Sequence, residues 1–165
     1  MAKPWARDHG ARPLWKDYLS EDILSLPRTW ECFQQIEDDD HLGFCLPPKN
    51  SLPGAVLRHV YKYVDNLVGK EWPLIYKLGF THSPHARFWN NKYGYVTERY
   101  KWERLVVIYC GIDTTSAAYV EAALIQKYKG YLANHNPEKD FTFILWNFFP
   151  SLFPLTWGQR TNDYA

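Results

Sequence analysis

The alternation of apolar and polar positions is clearest in the middle third of the chain. Residues 59–64, HVYKYV, place Val60 and Val64 on one side of an alternating segment, which predicts a β-strand. Residues 74–80 form a second such segment, and the Asn and Gly residues between the two tolerate the positive φ of a turn. The pattern therefore predicts an antiparallel hairpin over 59–80.

Helix-initiating residues follow the predicted hairpin. Ser83 can accept a backbone N–H bond at an N-cap and Pro84 suits the first helical position, so a short helix is expected to run from there to about residue 90. A third, fully apolar strand is predicted at 105–110. One of the polar residues at 113–115 then caps the clearest helix of the chain, whose apolar stripe consists of Val120, Leu124 and Tyr128.

The segment before this core is broken by prolines. Helical periodicity is present over 14–26 and again over 29–36, and Ser20 can cap a short turn within the first of these. The acidic run at 37–40 is typical of a solvated loop, although several carboxylates on one scaffold can also hold a metal. We expect residues 1–58 to form an irregular, partly helical N-terminal extension.

The last part of the chain is rich in aromatic residues and proline. It predicts loops that pack on the core, with one apolar strand at 141–146. The expected fold is therefore α+β: a small three-stranded antiparallel sheet flanked by helices, with irregular N- and C-terminal extensions. The three predicted units are an extension at 1–58, a core at 59–134 and an extension at 135–165.

The composition indicates a folded protein that is not strongly charged. Of the 165 residues, 46% are hydrophobic and 18% are aromatic, which differs from the composition of disordered chains. The formal net charge of +1 excludes the strongly basic class of DNA-binding module. Contact with nucleic acid then requires a local patch, for which the candidates are Arg99, Lys101 and Arg104, interleaved with Tyr100 and Trp102. The same residue types also favour a protein interface.

The cysteines and the apolar runs indicate which cellular compartment to expect. Three cysteines at unrelated spacings fit neither a disulfide framework nor a zinc template, so reduced thiols in an intracellular compartment are expected. Cys110, which ends an apolar strand, is expected to be buried. The N-terminal residues contain no apolar run typical of a signal peptide. The longest apolar stretch, 143–157, is broken by Pro150 and Pro154, so no transmembrane segment is expected.

The core segment contains candidate groups for phosphodiester hydrolysis, which needs an activated water and neutralisation of the phosphate charge. Glu121 in the predicted helix can hold a divalent cation, and Arg87 in the short helix can bind a phosphate. A hydroxyl of Tyr61 or Tyr76 can orient water near such a cation. Each of these residues also has a purely structural interpretation, as a surface charge or a packing tyrosine. Lys77 follows Tyr76 directly, so only one of these two can face Glu121 from a strand.

The order and spacing of these residues carry a family resemblance. HVY at 59–61 and KLG at 77–79 resemble the two motifs of the GIY-YIG nuclease superfamily, in a branch with lysine at the tyrosine position of the second motif. Arg87 in SPHAR and Glu121 in YVEAALI match the arginine and the metal-binding glutamate of that family. The resemblance covers residues 59–134.

The resemblance implies a divalent-metal-dependent endonuclease that acts on DNA or RNA. It implies that Glu121 binds Mg²⁺ or Mn²⁺, that Arg87 contacts the scissile phosphate and that Tyr61 serves as, or orients, the general base. Lys77 or Tyr76 would assist. These groups must then converge at one pocket.

Two departures from the family pattern leave alternatives open. His59 stands where the first motif has glycine, and the connection between the two motifs is longer than usual. One alternative is a non-catalytic accessory or structural subunit of a larger assembly, which docks onto protein partners through its aromatic terminal extensions and exposes a large apolar patch when isolated. A further alternative is a nucleic-acid-binding protein without chemistry.

Overall fold

A computed structural model describes residues 14–70, 75–97, 102, 104–128 and 141–147, and for 67–70, 75, 76 and 141–147 it describes the backbone alone. In chain order the described elements are α1 (Glu21–Leu24), α2 (Pro27–Asp38), β1 (Leu42–Phe44), α3 (Pro53–Lys70), β2 (Ile75–Thr81), α4 (Pro84–Trp89), β3 (Arg104–Cys110), α5 (Thr114–Lys127) and β4 (Phe141–Asn147). Short 3₁₀ helices occur at Trp15–Tyr18 and Tyr95–Thr97. The fold is α+β, as predicted.

The sheet has four strands within the described residues, in the order β1-β3-β4-β2. β4 is antiparallel to both of its neighbours, whereas β1 and β3 are parallel, with Leu42 paired to Leu105. The prediction of a three-stranded antiparallel sheet is therefore wrong. β1 and β4 come from the two predicted extensions, so part of each extension belongs to the sheet. The helical part predicted for the N-terminal extension is present as α1 and α2, and the predicted apolar strand at 141–146 lies inside the sheet.

The first predicted strand, 59–64, is wrong, because these residues belong to α3. Pro53 occupies the first position of this helix, where its missing N–H costs nothing. Val60 and Val64 are spaced by four residues, which suits both a strand face and a helix face. Val56, one turn earlier, decides between the two, since all three valines are buried along one stripe. Burying each such side chain stabilises the fold by about 1.5–3 kcal/mol.

Helices cover both faces of the sheet, and alternation along β3 divides the core. Leu105 and Val107 face α2 and α4, in a cluster rich in aromatic rings that includes Trp15, Phe33, Phe88, Tyr95 and Trp102. Val106 and Ile108 face α3 and α5, in a mainly aliphatic cluster. We call these the α2/α4 face and the α3/α5 face.

The local signals after residue 74 predicted their elements well. β2, α4, β3 and α5 lie within one or two residues of their predicted positions. Asp113 caps α5, because its Oδ1 accepts the Ser116 N–H at 2.8 Å, and Cys110 is buried as predicted. Ser83 precedes α4, but its side chain makes no capping bond. Its own N–H donates to Thr81 Oγ1 at 3.1 Å.

None of the helices in the described part of the chain combines the length and the apolar character needed to cross a membrane.

Candidate functional site

Two of the predicted catalytic residues meet at one aromatic ring on the α2/α4 face. Tyr95, in the second 3₁₀ helix, is fully buried. The Nζ atom of Lys77 lies 5.0 Å from the centroid of its ring, and the Cζ atom of Arg87 lies 4.1 Å from it. Each contact of this kind contributes about 0.5–2 kcal/mol. These two cations therefore hold the 3₁₀ helix against β2 and α4.

The surroundings of both cations favour a structural role. Lys77 is 0% exposed, so its ammonium group does not reach solvent. Arg87 Nη1 donates to the backbone carbonyl of Tyr93 at 2.6 Å, which closes the turn between α4 and the 3₁₀ helix. Burial keeps the Lys77 charge away from an incoming phosphate, and Arg87 is engaged through Nη1 in the turn.

Glu121, the predicted metal ligand, comes from the opposite side of the sheet. Its helix, α5, packs on the α3/α5 face through Val120 and Leu124, which contact the same cluster as Leu78 of β2. Because Lys77 and Leu78 are consecutive on a strand, Lys77 points away from α5. Glu121 itself is 1% exposed. The structure therefore does not bring Glu121 together with Lys77 and Arg87.

The predicted tyrosines do not form a pair on adjacent strands. Tyr61 lies on α3, and its ring is covered by the Lys127 ammonium group, which lies 4.3 Å from the ring centroid. Tyr76 lies on β2, and its side chain is outside the described residues. Of the predicted basic patch, Arg99 and Lys101 are also outside the described residues, while Arg104 begins β3 and is half-buried.

The residues implied as a Mg²⁺ or Mn²⁺ site do not fit such an ion. Mg²⁺ usually retains several waters when a protein binds it. Glu121 is almost completely buried, next to Ala117, Val120 and Leu124. Across the described residues, no group of three or more His, Cys, Asp and Glu side chains is placed to hold a metal ion.

The acidic run at 37–40 contains a structural carboxylate that the sequence did not reveal. Asp39 accepts the backbone N–H of His41 at 2.8 Å and the indole N–H of Trp89. His85 Nε2 lies 3.8 Å from the same carboxylate. Asp39 thus links the end of α2 to α4, and it is not part of a purely solvated loop.

The helices α3 and α5 are tied together at their C-terminal parts. Lys127 Nζ lies 3.2 Å from Asp65 Oδ2, and the Tyr128 hydroxyl donates to Asp65 Oδ1. The same hydroxyl lies 3.2 Å from the carbonyl oxygen of Tyr61. These contacts leave little room between the two helices at this end.

At their N-terminal ends the same helices leave an open groove of about 480 Å³, a volume typical of ligand sites. It lies beyond the carboxyl ends of the parallel strands β1 and β3, where both helices begin. We call it the α3–α5 groove; it is lined by Ser51, Pro53, Val56, Leu57, Tyr109, Asp113, Thr115, Ser116, Tyr119 and Val120. A smaller hollow of about 170 Å³ adjoins it and shares Ser51, Val56 and Tyr109.

The α3–α5 groove carries one negative charge in its lining. The backbone N–H and the hydroxyl of Ser116 both donate to Asp113, and these bonds lower the pKa of its carboxyl group, which is therefore ionised at neutral pH. Burial raises the pKa of Tyr109, and its side-chain hydrogen bond with Ser116 opposes that rise. The groove therefore offers a carboxylate and hydroxyl groups beside an apolar wall.

Exposed apolar side chains occur in the lining of this groove and at positions next to lining residues in the chain. Leu52, just before α3, is 76% exposed, Ile112, just before α5, is 46% exposed, and Tyr119 in the groove wall is 73% exposed. No local sequence signal indicates this arrangement, because it depends on two helices starting from the same edge of a sheet. The Asp113 cap marked one of those helix starts.

A scan against protein-family models, a search of curated proteins and a search of solved structures each found no match to this chain.

Proposed function

We propose that this protein is a non-catalytic accessory domain that docks onto a protein partner through the α3–α5 groove. The observation that supports the proposal most is the open apolar groove with Leu52, Ile112 and Tyr119 exposed around it. Contiguous exposed apolar surface with a polar rim is typical of interaction sites. Tyr119 is 73% exposed, and tyrosine is enriched in protein interfaces.

The charge of the groove favours a protein partner over nucleic acid. Asp113 is the one charged side chain among the residues that line it. Its carboxylate repels phosphate groups, and affinity for nucleic acid depends mainly on cations that neutralise phosphates. A polypeptide can cover the apolar wall without bringing a phosphate near Asp113.

Metal-dependent hydrolysis of nucleic acid, which the GIY-YIG resemblance implies, stays a prediction with less support. It requires Glu121, Arg87 and Tyr61 at one solvent-accessible point. Arg87 and Glu121 belong to helices on opposite faces of the sheet, and Glu121 is buried. The aromatic docking arms predicted in the terminal extensions lie mostly outside the described residues, so the proposal rests on the groove.

The proposal can be tested in cells that naturally produce the protein. Epitope-tagged wild type, Tyr119→Ala and Tyr93→Ala are expressed, and native extracts are separated by gel filtration. Tyr93 is a matched control, since it is also an exposed tyrosine, at 59% exposure, and lies outside the groove. We expect wild type and Tyr93→Ala to elute in an assembly larger than the 19.5 kDa chain, and Tyr119→Ala to elute as the free chain.

Either of two results would contradict the proposal. One is elution of the wild type as the free chain. The other is an unchanged elution of Tyr119→Ala, given that its circular dichroism spectrum matches that of the wild type.

A further inference from the structure

We infer that the α3–α5 groove recognises a short segment of a protein partner in which an aliphatic or aromatic side chain lies next to a lysine or arginine. The inference rests on the proposed docking function and adds the chemistry of the partner. Three features carry it: the apolar side chains in and beside the groove, the hydroxyl groups on its rim and its single charge.

The apolar surface extends beyond the groove at both helix starts. Val56 and Leu57 form one wall, and Tyr119 and Val120 form the other. The exposed Leu52 directly precedes the lining residue Pro53 in the chain, and the exposed Ile112 directly precedes the lining residue Asp113. A small molecule held in the groove would leave these flanking side chains in water, whereas a segment of polypeptide can cover both. Extended recognition of this kind uses side-chain pockets for specificity.

Hydroxyl groups on the rim suit the backbone of such a segment. Ser51, Thr115 and Ser116 line the groove beside its apolar walls. A serine or threonine hydroxyl can both donate and accept, so it can bond a peptide N–H or a peptide carbonyl. Two of these hydroxyls donate within the chain, Ser51 to the Pro48 carbonyl and Ser116 to Asp113, and their oxygens can still accept from a peptide N–H.

The negative charge of Asp113 favours a partner segment in which a basic residue lies next to the apolar side chain. The Ser116 N–H and hydroxyl both donate to Oδ1 of the Asp113 carboxylate, and the backbone N–H of Thr115 also bonds this carboxylate. The side chain is exposed, and no Lys, Arg or His is among the described residues that line the groove, so no cation in the lining neutralises this carboxylate. A lysine or arginine beside the apolar residue complements it, while an acidic residue is repelled.

A selection experiment tests the inference directly. A display library of random dodecapeptides is selected on the purified full-length wild-type protein and, in parallel, on Asp113→Asn and Tyr119→Ala. Asparagine is as good an N-cap as aspartate, so Asp113→Asn removes the charge and keeps the start of α5. We expect wild type to enrich peptides with Lys or Arg next to Leu, Ile, Phe or Trp, and Asp113→Asn to enrich apolar peptides without the basic residue.

Affinities of one selected peptide complete the test. Fluorescence anisotropy should show binding weakened about two- to fivefold by Asp113→Asn, as for a solvent-exposed ion pair. Tyr119→Ala should weaken it about tenfold or more, as for an aromatic anchor. Tyr93→Ala should leave it unchanged. Replacing the basic residue of the peptide by glutamine should reproduce the loss seen with Asp113→Asn, and the two changes together should cause no further loss.

The possible failures separate this inference from the proposed function. Enrichment of neutral or acidic apolar peptides, lost on Tyr119→Ala, overturns the basic preference and leaves the docking function supported. Absence of any Tyr119-dependent enrichment overturns the inference, and the gel-filtration result then decides the docking function independently. Concentration-dependent dimerisation of the pure protein that is lost on Tyr119→Ala would show that a second copy of the chain occupies the groove, which also overturns it.

Discussion

The two faces of the sheet differ in how completely their helices close over the core. On the α2/α4 face, aromatic rings fill the space, with Trp15 stacked on Phe33 at 4.9 Å between centroids. The charged side chains of Lys77 and Arg87 also pack against the ring of Tyr95 on this face. On the α3/α5 face, mainly aliphatic side chains close the core at the Asp65–Lys127 end, and the helices leave a groove at the other end.

This difference shows that the residues of catalytic types and the surface accessible to a partner lie in different parts of the molecule. Lys77 and Glu121 belong to chemically capable residue types, yet both are buried. The groove contains few residues of that kind, yet it is open to solvent. Function is therefore better sought where the packing is incomplete than where the reactive side chains occur.

The largest effect on stability is expected from a substitution that disrupts packing on the α2/α4 face. A Cβ atom at Gly94 would overlap backbone atoms of Phe88 and Asn90, which cannot move aside. Gly94→Ala should therefore lower the free energy of unfolding by about 3 kcal/mol. Gly54→Ala, at the start of α3, is the matched control. Its Cβ atom meets only the Arg58 side chain at 3.5 Å, so helix propensity should raise stability by about 0.5–1 kcal/mol. Urea denaturation measures both, and equal effects would contradict the packing described.

The next effect concerns Glu121, the buried carboxylate of the α3/α5 face. Glu121→Ala should lower the free energy of unfolding by about 2 kcal/mol, because it empties a packed position and disturbs a buried polar group. Supercoiled plasmid and single-stranded RNA, incubated with Mg²⁺ or Mn²⁺, should stay intact with both wild type and variant. Cleavage by the wild type that Glu121→Ala abolishes, with the fold retained, would restore the nuclease interpretation.

A smaller loss of stability is expected when the contacts between the C-terminal parts of α3 and α5 are removed. Asp65→Ala removes the ion pair with Lys127 and the bond from the Tyr128 hydroxyl. We expect a loss of about 1 kcal/mol, since the ion pair is largely exposed and the hydrogen bond contributes most of it. Lys49→Ala, which removes an exposed pair with Glu21 at 3.5 Å, should change stability by less than about 0.5 kcal/mol. Thermal unfolding in low salt compares the two variants. Similar losses of stability would show that the contacts of Asp65 with Lys127 and Tyr128 stabilise the fold no more than an exposed ion pair does.

The smallest expected effect is a pH dependence that arises where α3 contacts Cys45, the residue after β1. His59 Nε2 donates to the Cys45 carbonyl at 2.7 Å, and burial lowers the pKa of this imidazole below its ordinary value of 6.5. Below pH 6.5 the unfolded chain binds a proton that the folded chain does not, so stability should fall as the pH is lowered through this range. His59→Gln keeps an N–H donor without a titrating group and should flatten this part of the profile. A profile identical to that of the wild type would rule out His59 as its source.

Local sequence signals predicted the helices and strands after residue 74, but they did not predict α3 or β1. Proline at a first helical position, the Asp113 cap and the apolar run of β3 each act within a few residues, so the elements after residue 74 were placed well. α3 was missed because Val60 and Val64 suit two periodicities. β1 was missed because it has three residues, Leu42–Phe44, and gains its place only by pairing with β3.

The candidate site was harder to predict for a physical reason. A sequence gives the chemistry of Glu121, Lys77 and Arg87, but the face of the sheet on which each lies depends on strand order, which is set by non-local pairing. The α3–α5 groove depends on the same pairing, since it forms where two parallel strands deliver two helices to one edge. Its walls consist of ordinary residues such as Val56 and Leu57, which carry no motif.

The most direct test of the account places a photo-reactive group in the groove. p-Benzoylphenylalanine replaces Tyr119 in one variant and Tyr93 in another, and both are irradiated in cells that naturally produce the protein. The account predicts that position 119 forms a covalent adduct with one defined protein, at a segment that carries an apolar residue beside a lysine or arginine, and that position 93 does not. No adduct from position 119, or the same adducts from both positions, would contradict it.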